Sequence, residues 1–213
     1  MFTNMLVVSD QVQEAHKKIG IEIDNSPQKL RIISSKKQEI SFYNNKEKSV
    51  FHLISGEIEL RSTNSNLIVL NVYAPAIIGL SSIFTSNDLF YINTVTDVEL
   101  ISIPMSELID IANKKNLWIY ISTIMSHYLD ICYLRDSILY QDSVYNVIKN
   151  HLEILWRFKR DKLDEISVFD FILNRTPVSR SSLNKVLKDL VSGGYIKMNR
   201  GKLVEMNKLP SGY

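Results

Sequence analysis

Apolar and polar positions along this chain follow two rhythms. From about residue 30 to 103 the rhythm is short. LRIIS, EISFY, SVFHLI, EIELRS, NLIVLNVY, FYINTVT and VELISIP are brief runs rich in Val, Ile, Leu and Tyr, separated by turn formers. Such a succession predicts short strands folded as a sandwich or roll. Gly56 lies between two of the runs, where glycine supplies the positive φ of a tight reversal, and STNSN at 62–66 is a second hairpin tip. Elsewhere the rhythm is helical. Residues 5–19 carry a weak helical pattern, MSELIDIANKKN opens a helix at 105 with Ser106 as its expected cap, and DSVYNVIKNHLEILWRFKR at 142–160 reads as an amphipathic helix.

The most regular segment is 117–139. Leu117, Ile121, Ile124, Tyr128, Ile131, Arg135 and Ile138 alternate steps of four and three, the spacing of a heptad seam that packs against a partner helix. A homodimer through Leu117, Ile121, Ile124, Tyr128, Ile131 and Ile138 is therefore expected. Trp118, Met125, Cys132 and Leu139 repeat every seven residues on a neighbouring face, which predicts a second contact with the chain's own core and a buried, inert thiol at Cys132.

The last third closes on TPVSRSSLNKVLKDLVSGGYI. Ser179 is a fitting N-cap, Leu183, Val186, Leu187 and Leu190 make a buried stripe, and Gly193-Gly194 end the helix. Arg180, Ser181, Asn184, Lys185 and Lys188 occupy the opposite face. ISVFDFILN upstream offers a preceding short helix, with a tight connection through Pro177. Helix, turn and capped helix with a cationic face is helix-turn-helix geometry, whose second helix presents its N-terminal side chains to base edges in the major groove of double-stranded DNA. A hairpin follows, YIKMN and KLVEMN about the turn NRGK, which makes the unit a winged helix. Its Lys197, Arg200 and Lys202 are placed for phosphate contacts.

Charge sharpens this picture. Net charge is only +2, but residues 1–150 hold 13 Lys and Arg against 16 Asp and Glu, whereas 151–213 hold 12 against 7. The basic excess sits where the winged helix does, as a polyanionic partner requires. The single cysteine excludes an intrachain disulfide and a cysteine-ligated metal or iron–sulfur centre within one chain. The opening residues, MFTNMLVVSDQVQEAHKK, lack a basic start and a long apolar run, so no signal peptide or membrane span is expected and a cytoplasmic location is. No catalytic constellation occurs, neither a glycine-rich phosphate loop nor HExxH nor GxSxG, and no enzyme activity is expected.

VSRSSLNKVLKDLVSGGYI resembles the recognition segment of the CRP/FNR superfamily of bacterial transcription regulators, matching at Ser179, Arg180, Leu183 and Lys185. RTPVSRS together with GGYIKMNRGKLVEMNKLPS is similar to the C-terminal end of the IprA family of enterobacterial regulators, named for inhibition of hydrogen peroxide resistance. These motifs cover about the last forty residues, and over the rest the likeness is one of layout. The resemblance implies an α+β chain: an N-terminal antiparallel β-roll of the cyclic-nucleotide-binding type (1–115), a long dimerisation helix (116–141) and a C-terminal winged helix-turn-helix (142–213). It implies Arg180 as the leading base reader, since arginine is the usual bidentate donor to guanine, and Lys185 as the second. Ser181 stands where classical members often carry Glu, so base preference there should differ from theirs. RNA polymerase is a further partner it suggests, and oxidative-stress or virulence-type responses are the expected setting.

Members that bind cyclic nucleotides carry Gly-Glu followed by a phosphate-neutralising Arg. Here Gly79 is followed by Leu80, Ser81 and Ser82, and no Lys or Arg occurs between Arg61 and Lys114. Burying an anion without a cation is expensive, so no cyclic nucleotide is expected, although an unknown small effector stays open. His52, His127 and His151 leave a haem-binding role conceivable, but a lone histidine is more often packed or solvated. Cys132 is the candidate redox residue, near the expected dimer axis. The rival reading is an effector- or protein-binding interaction module with weak DNA affinity.

Overall fold

The computed structural model describes residues 8–44, 47–85, 89–158, 160 and 163–212. The chain divides into two compact units, Met1–Tyr133 and Leu134–Tyr213, with the division inside one long helix.

The first unit opens on α1 (Asp10–Asn25), capped by the Ser9 hydroxyl, which accepts from the Val12 N–H. The helical pattern expected over 5–19 begins among residues outside the described ones and runs six residues further than it suggested. IGIEID alternates like a strand, yet Ile19, Gly20 and Ile23 are buried on one helical face. Among the described residues nine short strands follow, all paired antiparallel. One sheet takes the order β1 (Leu30–Ser34), β9 (Val98–Pro104), β4 (Glu47–Ser55), β3 (Tyr43–Asn44), with β7 (Ala76–Ile78) also on β4. The other takes β2 (Glu39–Ile40), β8 (Phe90–Thr94), β5 (Glu57–Ser62), β6 (Ile68–Tyr73). This is the expected antiparallel roll. Gly56 turns β4 into β5 at φ +93°, where a Cβ would lie 2.4 Å from the Asp97 carbonyl oxygen, so only glycine fits.

The run SVFHLI has no polar face because β4 is covered on both sides. Phe51 and Leu53 join Ile58, Val72, Ile78, Ile92 and Leu100 in a core drawn from both sheets. Val50 points the other way, into a second core with Ile19 and Ile23 of α1, Leu108 of α2 (Met105–Lys115), and Ile121 and Ile124 of α3 (Trp118–Leu139). Ser106 does not cap α2: Pro104 precedes the helix without a side-chain cap, and the Ser106 hydroxyl instead bonds Glu47.

The second unit is α4 (Val144–Phe158), α5 (Val168–Leu173), α6 (Arg180–Ser192) and a hairpin of β10 (Ile196–Asn199) and β11 (Lys202–Met206). Ile148, Leu152 and Leu155 of α4 pack on Val168, Phe171 and Ile172 of α5 and on Leu183, Val186, Leu187 and Leu190 of α6, closed by Ile196, Leu203 and Leu209. Each fully buried leucine contributes about 1.5–3 kcal/mol to this core.

Candidate DNA-binding surface

The start of α6 is fixed by its cap. Ser179 is extended, and its hydroxyl accepts from the Ser182 N–H at 3.1 Å and lies 2.9 Å from the hydroxyls of both Ser181 and Ser182. The turn before it is held by buried Thr176, whose hydroxyl donates to the Ile172 carbonyl at 2.9 Å. Such a cap contributes about 1 kcal/mol. It also fixes which residues stand on the first exposed turn: Arg180 and Ser181, then Asn184, Lys185 and Lys188 on the same side, all exposed. Neither Lys185 nor Lys188 makes an ion pair among the described residues.

The helix ends where expected, for two separate reasons. Gly194 adopts φ +72°, and a Cβ on Gly193 would meet the Tyr195 ring at 2.7 Å. Ile196 returns to the core, whereas Tyr195 stays at the surface. The wing turn places Arg200 at φ +47° and Gly201 at φ +78°. The turn itself is tied to α5 by the Val168 N–H, which donates to the Gly201 carbonyl at 2.9 Å.

The wing cations differ in how they are held. Lys197 pairs with Glu205 at 3.1 Å, both well exposed, and such a pair is worth little and yields readily to a phosphate. The Lys202 ammonium donates to the Asp164 carbonyl at 2.9 Å, anchoring the segment before α5. Arg200 is exposed at the tip.

Several residues that shape this surface carry no motif the sequence exposes. Phe169 lies under the Arg180 guanidinium, 5.4 Å from its centre, and Phe171 under that of Arg175 at 4.3 Å. The C-terminal segment straps the unit shut: Leu209 is buried, and the Pro210 carbonyl accepts from the Tyr145 hydroxyl at 2.9 Å and the Lys149 ammonium at 2.8 Å. Burial, with Tyr195 and Glu153 adding to it, pushes the Tyr145 phenol up.

The long helix departs from the expected seam. Leu117, Ile121, Ile124 and Tyr128 face their own roll, the first three buried in its core and Tyr128 donating its hydroxyl to the Ile77 carbonyl at 2.9 Å. They are committed to their own chain and are not free to form a seam with another. Ile131 is half-buried and Ile138 buried. The open face is the adjacent one, Ile119, Ser122, Ser126, Leu129 and Tyr133, with the same steps of three and four. Ile119, Leu129 and Tyr133 are 66%, 53% and 66% exposed. Because α3 is apolar on nearly every side, periodicity alone does not tell which stripe the roll takes. Cys132, expected to be buried, is exposed in the single chain: Tyr128 is the last α3 side chain packed into the roll, one turn before it.

Gly79 adopts φ +100° before a single 3-10 turn, Leu80–Ser82, and a Cβ there would lie 3.0 Å from the Ser49 carbonyl oxygen and 3.2 Å from the Phe42 ring. The histidines have local partners. His52 Nδ1 is 2.8 Å from Asp24, His127 lies beside Tyr128, and His151 is buried in the winged helix with Nδ1 donating to the Val147 carbonyl at 2.8 Å. Burial holds His151 below its ordinary range against that bond. Among the described residues, no three His, Cys, Asp or Glu side chains are grouped to hold a metal, and no helix is long and apolar enough to cross a membrane.

Comparison with known proteins agrees with this geometry. A family model described as winged helix-turn-helix DNA binding matches residues 144–211. The inhibitor of hydrogen peroxide resistance of Escherichia coli strain K12 is 31% identical over 188 residues, covering 84% of this chain and 87% of that protein. Its counterpart in Salmonella typhimurium is 30% identical over 165 residues, 76% of this chain and 79% of its own. Among solved structures, the c-di-GMP-responsive global regulator CLP of Xanthomonas campestris superposes with a TM-score of 0.70 at 16% identity, covering 89% of this chain and 99% of its own. A transcriptional regulator of the CRP/FNR family from Eubacterium rectale gives 0.62 at 19% identity, with 96% and 95% covered.

Proposed function

The chain belongs to the IprA family, the inhibitors of hydrogen peroxide resistance among the CRP/FNR regulators, and from that premise we propose that it acts as a homodimer reading a two-fold symmetric DNA site. As a member it is a DNA-binding transcription regulator with a winged helix-turn-helix. Arg180 is the leading base reader and Lys185 the second, with Ser181, Asn184 and Lys188 flanking them and Lys197, Arg200 and Lys202 on phosphates. The observation that carries this is the capped first turn of α6, which fixes Arg180 at the exposed start of a helix whose opposite face is buried. Dimerisation uses the open face of α3, Ile119, Ser122, Ser126, Leu129 and Tyr133, whose heptad steps suit a second copy of the same helix. Half-sites then lie about 34 Å apart, one helical turn.

The roll serves without cyclic nucleotide. This is supported by the lack of any Lys or Arg from 62 to 113 and by the Phe42 ring standing against Gly79. The relatives' name supports a place in the response to hydrogen peroxide. RNA polymerase is the protein partner such a regulator meets at a promoter. A gel shift on genomic fragments, repeated across a salt series, tests the reading. Discrete fragments are retained at moderate salt, and affinity falls steeply as salt rises. Retention of all fragments alike, or affinity indifferent to salt, favours an interaction module instead, and saturable cyclic-nucleotide binding at micromolar levels overturns the reading of the roll.

A further inference from the structure

Arg180 does not stand free on the first turn of α6. Its guanidinium lies over the Phe169 ring, 5.4 Å from the ring centre. Phe169 is the second residue of α5 and packs, partly buried, on the edge of the winged-helix core, while Val168, Phe171 and Ile172 around it are buried. α5 is itself pinned at its start: the Ser167 hydroxyl accepts from the Asp170 N–H at 3.2 Å, and the Val168 N–H donates to the wing's Gly201 carbonyl at 2.9 Å. The ring is thus a fixed plate beside a long, rotamer-rich side chain. A cation over such a ring at an exposed site is favoured roughly two- to fivefold over its other orientations.

Stacking uses the face of a guanidinium, whereas bidentate bonding to the O6 and N7 of guanine uses its edge. The two are compatible, and an arginine already held over a ring has less freedom to lose on docking.

We infer that Phe169 is a positioning residue for base reading: its ring holds Arg180 in the orientation that docks on guanine, so the ring sets discrimination between sequences and not affinity for DNA in general. This rests on Arg180 being the base reader. The geometry assigns Phe169 no contact with DNA. It acts through Arg180 alone.

The experiment uses the full chain and an operator selected with it from random duplexes. The readout is the ratio of affinity for that operator to affinity for random-sequence DNA at one salt concentration. Phe169→Leu removes the π-face, and Phe169→Trp keeps one. Where the leucine variant does not fold, Phe169→Met takes its place. The expected result is a roughly two- to fivefold fall in the ratio for Phe169→Leu, with random-sequence affinity and salt slope unchanged, a ratio near wild type for Phe169→Trp, and no further loss from Phe169→Leu in an Arg180→Ala background. An equal fall in both affinities, an equal loss in the Arg180→Ala background, or a rise in the ratio when the ring is removed overturns the inference. The Arg180→Ala arm separates the two assignments. A ratio it leaves intact overturns base reading by Arg180 and the inference together, while a ratio lost with Arg180→Ala and kept with Phe169→Leu overturns the role of Phe169 alone.

Discussion

Acid should loosen the roll through His16. This side chain of α1 is 6% exposed, and its Nδ1 accepts from the Ile77 N–H at 2.9 Å, so neutral His16 carries its proton on Nε2. The carbonyl of the same residue accepts from Tyr128 of α3, so α1 and α3 between them satisfy both backbone groups of Ile77, two residues before Gly79. Burial first, then the neighbouring His127 and His52, lower His16 from 6.5 to about 4. Burial likewise lowers His127 against the pull of Asp130 and pushes the Tyr128 phenol up, while His52 faces Asp24. A base depressed by folding binds its proton more readily in the unfolded chain. The stability it contributes is therefore complete above the unfolded value of 6.5 and is lost as pH falls toward 4. At 1.36 kcal/mol per pKa unit the full loss is about 3 kcal/mol, of which about 2 kcal/mol is gone by pH 5. The reference is His16→Asn, whose side-chain oxygen keeps an acceptor for the Ile77 N–H but does not titrate. Urea unfolding from pH 8 to 5, followed by Trp118 emission in a Trp156→Phe background, reads the first unit alone. Wild type should lose about 2 kcal/mol more than His16→Asn over that range, other groups titrating alike in both. Parallel profiles would refute the reasoning.

Two further outcomes concern the open face of α3 and the cap of α6. Leu129→Asp sets a charge on the open face of α3, and sedimentation equilibrium should show a folded monomer with weakened operator binding; an unchanged dimer removes that face from the interface. Ser179→Ala leaves the Ser182 N–H at the start of α6 without its acceptor and should cost the second unit about 1 kcal/mol by Trp156 fluorescence, and no change in midpoint would show the cap to be idle.

What the sequence discloses depends on whether a signal is local. The winged helix was legible almost to the residue: Ser179 as cap, the stripe Leu183, Val186, Leu187 and Leu190, and the glycine pair all act within a few residues of themselves. Most strands were legible from their apolar runs, but the single run EISFY divides into β2 and β3 in different sheets, and β7, three residues long, has little pattern of its own. The assignment of α3 faces held only in part: Trp118 and Met125 pack on the core as expected, but so do Leu117, Ile121 and Ile124, because two adjacent stripes share one period and only the placement of the roll decides which is taken. The helical pattern expected over 5–19 stopped short of Gly20 and Ile23, whose place on α1 is set by burial against β4 and β7. Gly20 is in place because a Cβ there would meet the His52 ring at 2.7 Å, a contact between residues 32 apart in sequence. The partnership of Phe169 with Arg180 is equally invisible without coordinates, since nothing in FDFILNRTPVSR sets one aromatic residue against one arginine.

The central claim is that α6 reads sequence through Arg180. Its most direct test is the affinity ratio between a selected operator and random duplex DNA, measured for wild type and Arg180→Ala at the same salt concentration. Loss of one bidentate arginine–guanine contact in each half-site should cost about 1–3 kcal/mol per half-site, taking most of the ratio while random-sequence binding through the wing and flanking lysines changes little. An Arg180→Ala protein that keeps the wild-type ratio contradicts the account.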